Sequence, residues 1–130
     1  MQVPIERLVP CGPGAEWAVL PGDGQTLVYW VFEAPQCGDL PMHRHPETQS
    51  GYVLEGEMVL KYEDGTEQQL RTGDFYSIES GVAHGASVDR RVVLLDIYAP
   101  PRPDYEARYR FMTQAKRGSR GGSRVSAVIQ

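Results

Sequence analysis

Histidine and cysteine are both scarce in this chain. Three histidines and two cysteines occur in 130 residues. Cys11 and Cys37 are too few for a disulfide framework and lack the C-x-x-C spacing of a redox or zinc motif. Both read as free thiols, and Cys37 is expected to pack rather than to offer its sulfur to a metal. Long apolar runs are also missing. No stretch approaches the roughly 20 apolar residues that cross a bilayer, and residues 1–7 have neither the basic start nor the apolar core of a signal peptide. The expectation is a cytoplasmic protein with no membrane partner. Positive charge is not in excess: the formal net charge is −4, which argues against a nucleic-acid partner. There is no internal repeat, and the length suits one domain with a real core.

What the chain does have is a series of short β-rich runs separated by turn signals. Leu27, Val28, Tyr29, Trp30, Val31 and Phe32 form a β-branched and aromatic run that reads as a well-buried strand over 25–34. Further strands are expected at 42–45, 49–54, 58–62, 67–70, 75–78 and 91–98, with a hairpin turn at 63–66. Many short strands at this spacing indicate an all-β antiparallel sandwich or barrel. Pro100, Pro101 and Pro103 must leave the sheet, because proline donates no ladder hydrogen bond. Asp104 is placed to cap a short helix through 115, with Tyr105, Tyr109 and Met112 on one face. The expected domain is 1–113, followed by a basic Gly/Ser-rich tail at 114–130. Within that tail, 125–129 could add a strand to a sheet edge, a partner's included. Open edges and spare β-prone ends lead us to expect a homodimer.

All three histidines fall in two short segments. His43 and His45 stand two apart, and alternate residues of a strand point to one face, so the pair aims two imidazoles at one place. His84, after the Ser80-Gly81 turn, supplies a third. An H-x-H pair alone is often two ordinary strand histidines, but three in register make a metal site. Gly38-x4-His43-x-His45-x3-Gln49-x6-Gly56 resembles the first cupin motif, and Gly73-x5-Glu79-x-Gly81-x2-His84 resembles the second. The first glycine lies one residue closer than usual. Gln49 replaces a glutamate, Glu79 a proline and Val88 an asparagine. The resemblance implies a cupin jelly-roll barrel (a double-stranded β-helix) with His43, His45, Gln49 and His84 as metal ligands. Counted in steps of two from His45, Gln49 has the right phase if the chain stays extended. It could instead bond a metal-bound water or satisfy the interior. Glu47 is expected to face solvent. The cofactor would be a divalent ion; imidazole-rich sites accept zinc, iron, nickel, copper and manganese. An amide oxygen is a neutral ligand and leaves the ion its full charge, which favours Lewis-acid chemistry over higher oxidation states.

A second cluster closes the last strand. Asp96 and Tyr98 share one face, while Val93, Leu95 and Ile97 make the opposite, apolar one. An aspartate there is costly to bury without a purpose, and Arg102 follows a rigid double proline. Asp96 is either a proton-transfer group or a carboxylate paired with Arg90, Arg91 or Arg102. Arg102 either clamps a substrate carboxylate or makes a surface or interface salt bridge. The segment is similar to the ending of the KdgF-type cupins, which linearise unsaturated uronates. That likeness implies catalytic roles for Asp96, Tyr98 and Arg102. Small polyketide-cyclase cupins have similar endings. The expected function is metal-dependent, non-redox chemistry on a small polar metabolite, a uronate or a polyketide among the candidates, by a lyase, isomerase or cyclase. The rivals are a cupin dioxygenase and a non-catalytic ligand-binding cupin. Trp30, Phe32, Tyr62, Phe75 and Tyr76 are candidates for the cavity mouth or for packing.

Overall fold

A computed structural model describes residues 7–118. The order of elements is β1 (Val9–Gly12), β2 (Ala15–Pro21), β3 (Thr26–Glu33), β4 (Leu40–His43), β5 (Thr48–Tyr62), β6 (Glu67–Arg71), β7 (Phe75–Ile78), β8 (His84–Ser87), β9 (Arg91–Ala99) and α1 (Pro103–Gly118). The expected edge strand at 125–129 lies outside the described residues. So does the tail from 119 onward, while 114–118 continue the helix. No helix among the described residues is long and apolar enough to cross a membrane.

The strands pair in the order β1-β2-β3-β9-β5-β8-β4, with β6 and β7 also on β5. Every pairing is antiparallel. β5 is the common member of two sheets. Its first half pairs with β7 and β9, and its second half with β6 and β8. The sequence reading split this stretch into two strands, but no turn separates them. Between Val53 and Glu55 the register shifts, and Gly56 has φ +87°. The irregularity bends the strand from one sheet into the other without breaking it. A side chain at Gly56 would collide with the Arg91 carbonyl.

Trp17, Val28, Val53, Leu70, Ile78 and Val92 fill the space between the sheets, each at most 1% exposed. β1 and β2 escaped the sequence reading. Val9, Cys11, Ala15 and Trp17 are their inward residues, but β1 contains a proline and the two are separated by a two-residue turn. α1 packs on β1 and β2. The Trp17 indole donates to Met112 Sδ at 3.3 Å, and its ring meets Tyr105 edge-on at 5.2 Å. Asp104 is not the helix cap. The Arg102 carbonyl accepts the first helical bond, from Glu106 N at 3.1 Å, so Pro103 takes the first helical position, where its missing N–H costs nothing. Asp104 and Glu106 supply the acidic first turn, which suits the helix dipole.

β9 has an inverted polarity. Its inward residues are Val92, Leu94, Asp96 and Tyr98, all buried, while Leu95 is half-buried and Ile97 exposed on the outer face. The polar face of this strand is the interior one, so the barrel encloses a site as well as a core.

Gly56→Ala is expected to lower the unfolding free energy by about 3 kcal/mol, strain and overlap combined. Gly65 has a similar φ of +90° with nothing within 4 Å of a Cβ, so Gly65→Ala should lose only about 1 kcal/mol. Urea unfolding of the two variants makes the comparison.

Candidate metal centre

His43 and His84 face each other across the β4–β8 ladder, as register partners. His45 lies just past the end of β4 and is 8% exposed. The chain does not stay extended beyond it: residues 46 and 47 form a bend, so the count in steps of two does not explain Gln49. Gln49 arrives from β5, paired with Ile78 on one side and Tyr98 on the other. The ring centroids of His43 and His84 are 4.4 Å apart, those of His45 and His84 5.0 Å, and those of His43 and His45 5.6 Å. One nitrogen from each of the three lies within 4.8 Å of the others. Cys37 is not part of this group.

Hydrogen bonds decide which nitrogen faces inward. The Nδ1 atoms of His43, His45 and His84 lie 2.9 Å, 3.0 Å and 2.9 Å from the carbonyl oxygens of Pro41, Glu47 and Val82. A carbonyl oxygen only accepts, so each Nδ1 carries a proton and each neutral ring presents a bare Nε2 lone pair. Burial lowers the His43 pKa and pulls His84 down to about 4, with the neighbouring imidazoles adding to the shift. Those two rings are neutral at physiological pH. Gln49 Nε2 donates to Asp96 Oδ2 at 3.0 Å, which turns the amide oxygen toward His45 Nε2, also at 3.0 Å. In the neutral tautomer that the Glu47 carbonyl sets, the His45 lone pair and the amide oxygen meet with no proton between them. His84 Nε2 is buried and has no hydrogen-bond partner. Uncompensated acceptors of this kind are costly to bury. A divalent cation satisfies all of them at once, and imidazole nitrogen and amide oxygen are donors it accepts. The tether from Nδ1 to a carbonyl is the outer-shell contact such ligands usually have.

Asp96 is 2% exposed. Its Oδ1 accepts from the Tyr76 hydroxyl and its Oδ2 from Gln49. Burial raises its pKa to about 7, although the hydrogen bonds from Tyr76 and Gln49 pull the other way. Of the arginines considered as partners, Arg91 pairs with Glu33 and Glu55, and Arg102 with Asp104. Gly51 makes the Tyr76 contact possible. It is the register partner of both Tyr76 and Asp96 on the strands flanking β5, and a Cβ there would run into both side chains. Sequence reasoning placed Tyr76 only at the mouth or in packing and passed over Gly51. A glycine inside a strand was the available signal, because it marks close approach.

Arg102 is buried, not on the surface. Its guanidinium lies 3.7 Å from the Tyr105 ring centroid and 5.3 Å from that of Tyr98. It pairs with Asp104 at 2.9 Å and reaches Glu47 at 3.7 Å. Glu47 is turned inward as well, with Oε1 buried beside His45 Nδ1 at 3.6 Å. The bend at residues 46 and 47 carries it there. The cavity is lined by His43, Gln49, His84, Asp96, Tyr98 and Tyr76 at its polar end, and Arg102 is not among the lining residues. Trp30 and Phe32 line it too, whereas Phe75 is 76% exposed and points outward against Tyr52.

A cupin domain family model matches residues 29–98, the span that holds both histidine segments and Asp96. The chain belongs to the cupin family. Among solved structures, this cupin is similar to an RmlC-like cupin from Shewanella frigidimarina NCIMB 400. That pair has a TM-score of 0.68 and 27% identity, covering 75% of this chain and 86% of that one. KdgF from Halomonas sp. aligns with a TM-score of 0.67 and 23% identity over 75% of this chain and 91% of that chain, a likeness of fold. Among characterised proteins, the chain is 28% identical over 97 residues to an H2HPP isomerase from Bacillus subtilis, covering 72% of this chain. It spans 40% of that relative's length.

Zinc or nickel at about 100 times its Kd should stabilise the protein by about 2.7 kcal/mol, read as a rise in Tm, and His84→Ala should remove that rise. Gly51→Ala should free the Gln49 amide and weaken ion affinity about 10–100-fold in chelator competition. Tyr76→Phe, which spares the backbone, should move affinity in the same direction by less.

Proposed function

We propose that this cupin is a divalent-metal-dependent enzyme that moves a proton on a small oxygen-bearing metabolite without changing its oxidation state, as a lyase, isomerase or cyclase does. The observation that carries this is the convergence of the three imidazoles, with Gln49 Oε1 3.0 Å from His45 Nε2 and the Nε2 of His84 buried without a partner. His43, His45, His84 and the Gln49 oxygen would hold the ion. A cation held by four neutral donors keeps its full charge and, when bound, supplies Lewis-acid stabilisation of negative charge on an oxygen.

The chain's own groups do the rest. Asp96 is the acidic side chain on the cavity wall, and we assign it the proton. The Tyr76 hydroxyl holds one carboxylate oxygen and the Gln49 amide the other, so the group is fixed in place before a substrate arrives. Tyr98, two residues along the same face, stands with its ring 5.7 Å from that of His45 and bounds the space where a substrate sits. The Arg102 guanidinium lies on the Tyr105 ring and 5.3 Å from the Tyr98 centroid, and so helps to hold the Tyr98 ring in place. The isomerase named among the relatives accords with proton-transfer chemistry. A neutral glutamine in place of an anionic ligand disfavours the oxygenase alternative.

The test is hydrogen exchange without oxygen. Metal-loaded protein in D2O under nitrogen should wash out carbon-bound protons from members of a panel of oxo and hydroxy acids, followed by proton NMR. Asp96→Asn should keep its ion and lose exchange about 10²–10⁴-fold. Oxygen uptake that matches substrate loss would replace this assignment with an oxygenase.

A further inference from the structure

The cavity has two unlike ends. Inside it, the centre of a water-sized sphere can move through about 50 Å³. His43, His84, Gln49, Asp96, Tyr76 and Tyr98 are gathered at one end. The remaining wall is chiefly apolar, made of Trp30, Phe32, Leu40, Met58, Leu60 and Leu94, with the Trp30 indole bonded to Asp96 where the two parts join. Trp30 and Phe32 are successive inward residues of β3, and their rings stack at 5.2 Å with 20° between planes. Together they form a continuous aromatic stretch of the wall.

The polar side chains of the lining are largely committed. Gln49 spans His45 and Asp96, and the Tyr76 hydroxyl is on Asp96. The Nδ1 atoms of His43 and His84 are tied to the backbone. A ligand with many hydroxyls would therefore press several of them against carbon. Each hydroxyl buried without a partner lowers affinity by roughly tenfold. An acidic group placed anywhere except the histidine end would also meet no cation among the lining residues, because Arg102 is not one of them and pairs with Asp104 beside the Tyr105 ring. A hydrocarbon body, in contrast, gains affinity from every part of that wall it covers.

We infer that the substrate is a small oxo or hydroxy acid with a ring or branched hydrocarbon body, its oxygens turned to the histidine end and its body laid against the Trp30–Phe32 face. This rests on the function proposed above for the same site. It sets aside the uronate that the sequence resemblance implied, whose ring hydroxyls would find carbon on this wall.

Calorimetric titration of the zinc-loaded protein with phenylpyruvate, pyruvate and glucuronate tests it. Phenylpyruvate should bind at least about tenfold more tightly than either of the others. Glucuronate binding as tightly as phenylpyruvate, or pyruvate matching it, would overturn the inference while leaving the enzyme assignment standing. A separate arm uses indole, which has no acidic head, on metal-free protein. Saturable binding that weakens in Leu94→Gln is expected, and no saturable binding to the unaltered protein overturns the inference. Should the protein take up no zinc at all, the proposed function falls and the indole arm alone judges the wall.

Discussion

Three backbone carbonyls fix the chemistry of this molecule. By accepting from Nδ1 of His43, His45 and His84, the oxygens of Pro41, Glu47 and Val82 put the ring protons on the outer side and leave lone pairs on the inner one. Three lone pairs and an amide oxygen then share a small space with no proton to join them. Burial makes protonating His43 and His84 unfavourable, so charging those two imidazoles does not relieve the strain. The fold has gathered a set of donors that suits a cation, and the residues around it hold that set in place.

The arrangement depends on β5. In its first half the strand carries Gln49 and Gly51; in its second it carries Met58 and Leu60. Gly51 allows the tyrosine of one neighbouring strand to reach the aspartate of the other across the backbone of the strand between them. Asp96 then orients Gln49, and Gln49 meets His45. The glutamine, a ligand candidate from the sequence, and the aspartate, a proton-transfer candidate, turn out to be one hydrogen-bonded unit. A single residue without a side chain thus conditions the geometry of four residues that have one.

Much of this could be read from the chain because the relevant signals are local. Strand runs, turn residues and the spacing of His43 and His45 depend on a few consecutive residues, and they gave the fold class and the cluster. The opposed faces of β9 were legible from simple alternation, although the sequence could not say which face was inside. What escaped depends on contacts between distant segments. Glu47 reads as a loop carboxylate until the bend at residues 46 and 47 turns it toward Arg102. Arg102 reads as a surface cation until Tyr98 and Tyr105 close around it. Tyr76 looks like packing until Gly51 opens the way to Asp96. β1 and β2 were missed because their pattern was short and broken by a proline, and packing against α1 supplies what the local pattern lacks.

A strand that belongs to both sheets also acts as a spacer. β5 is hydrogen-bonded along nearly its whole length to partners on either side, and its bend at Glu55–Gly56 is locked by close approach to Arg91. The gap between the two walls is therefore held by covalent chain rather than by side-chain packing alone. A guest that is too thick cannot wedge the walls apart without tearing that ladder, whereas a thin one slides between them at no mechanical cost. Thickness becomes a criterion of admission, imposed by the backbone before any side chain makes contact.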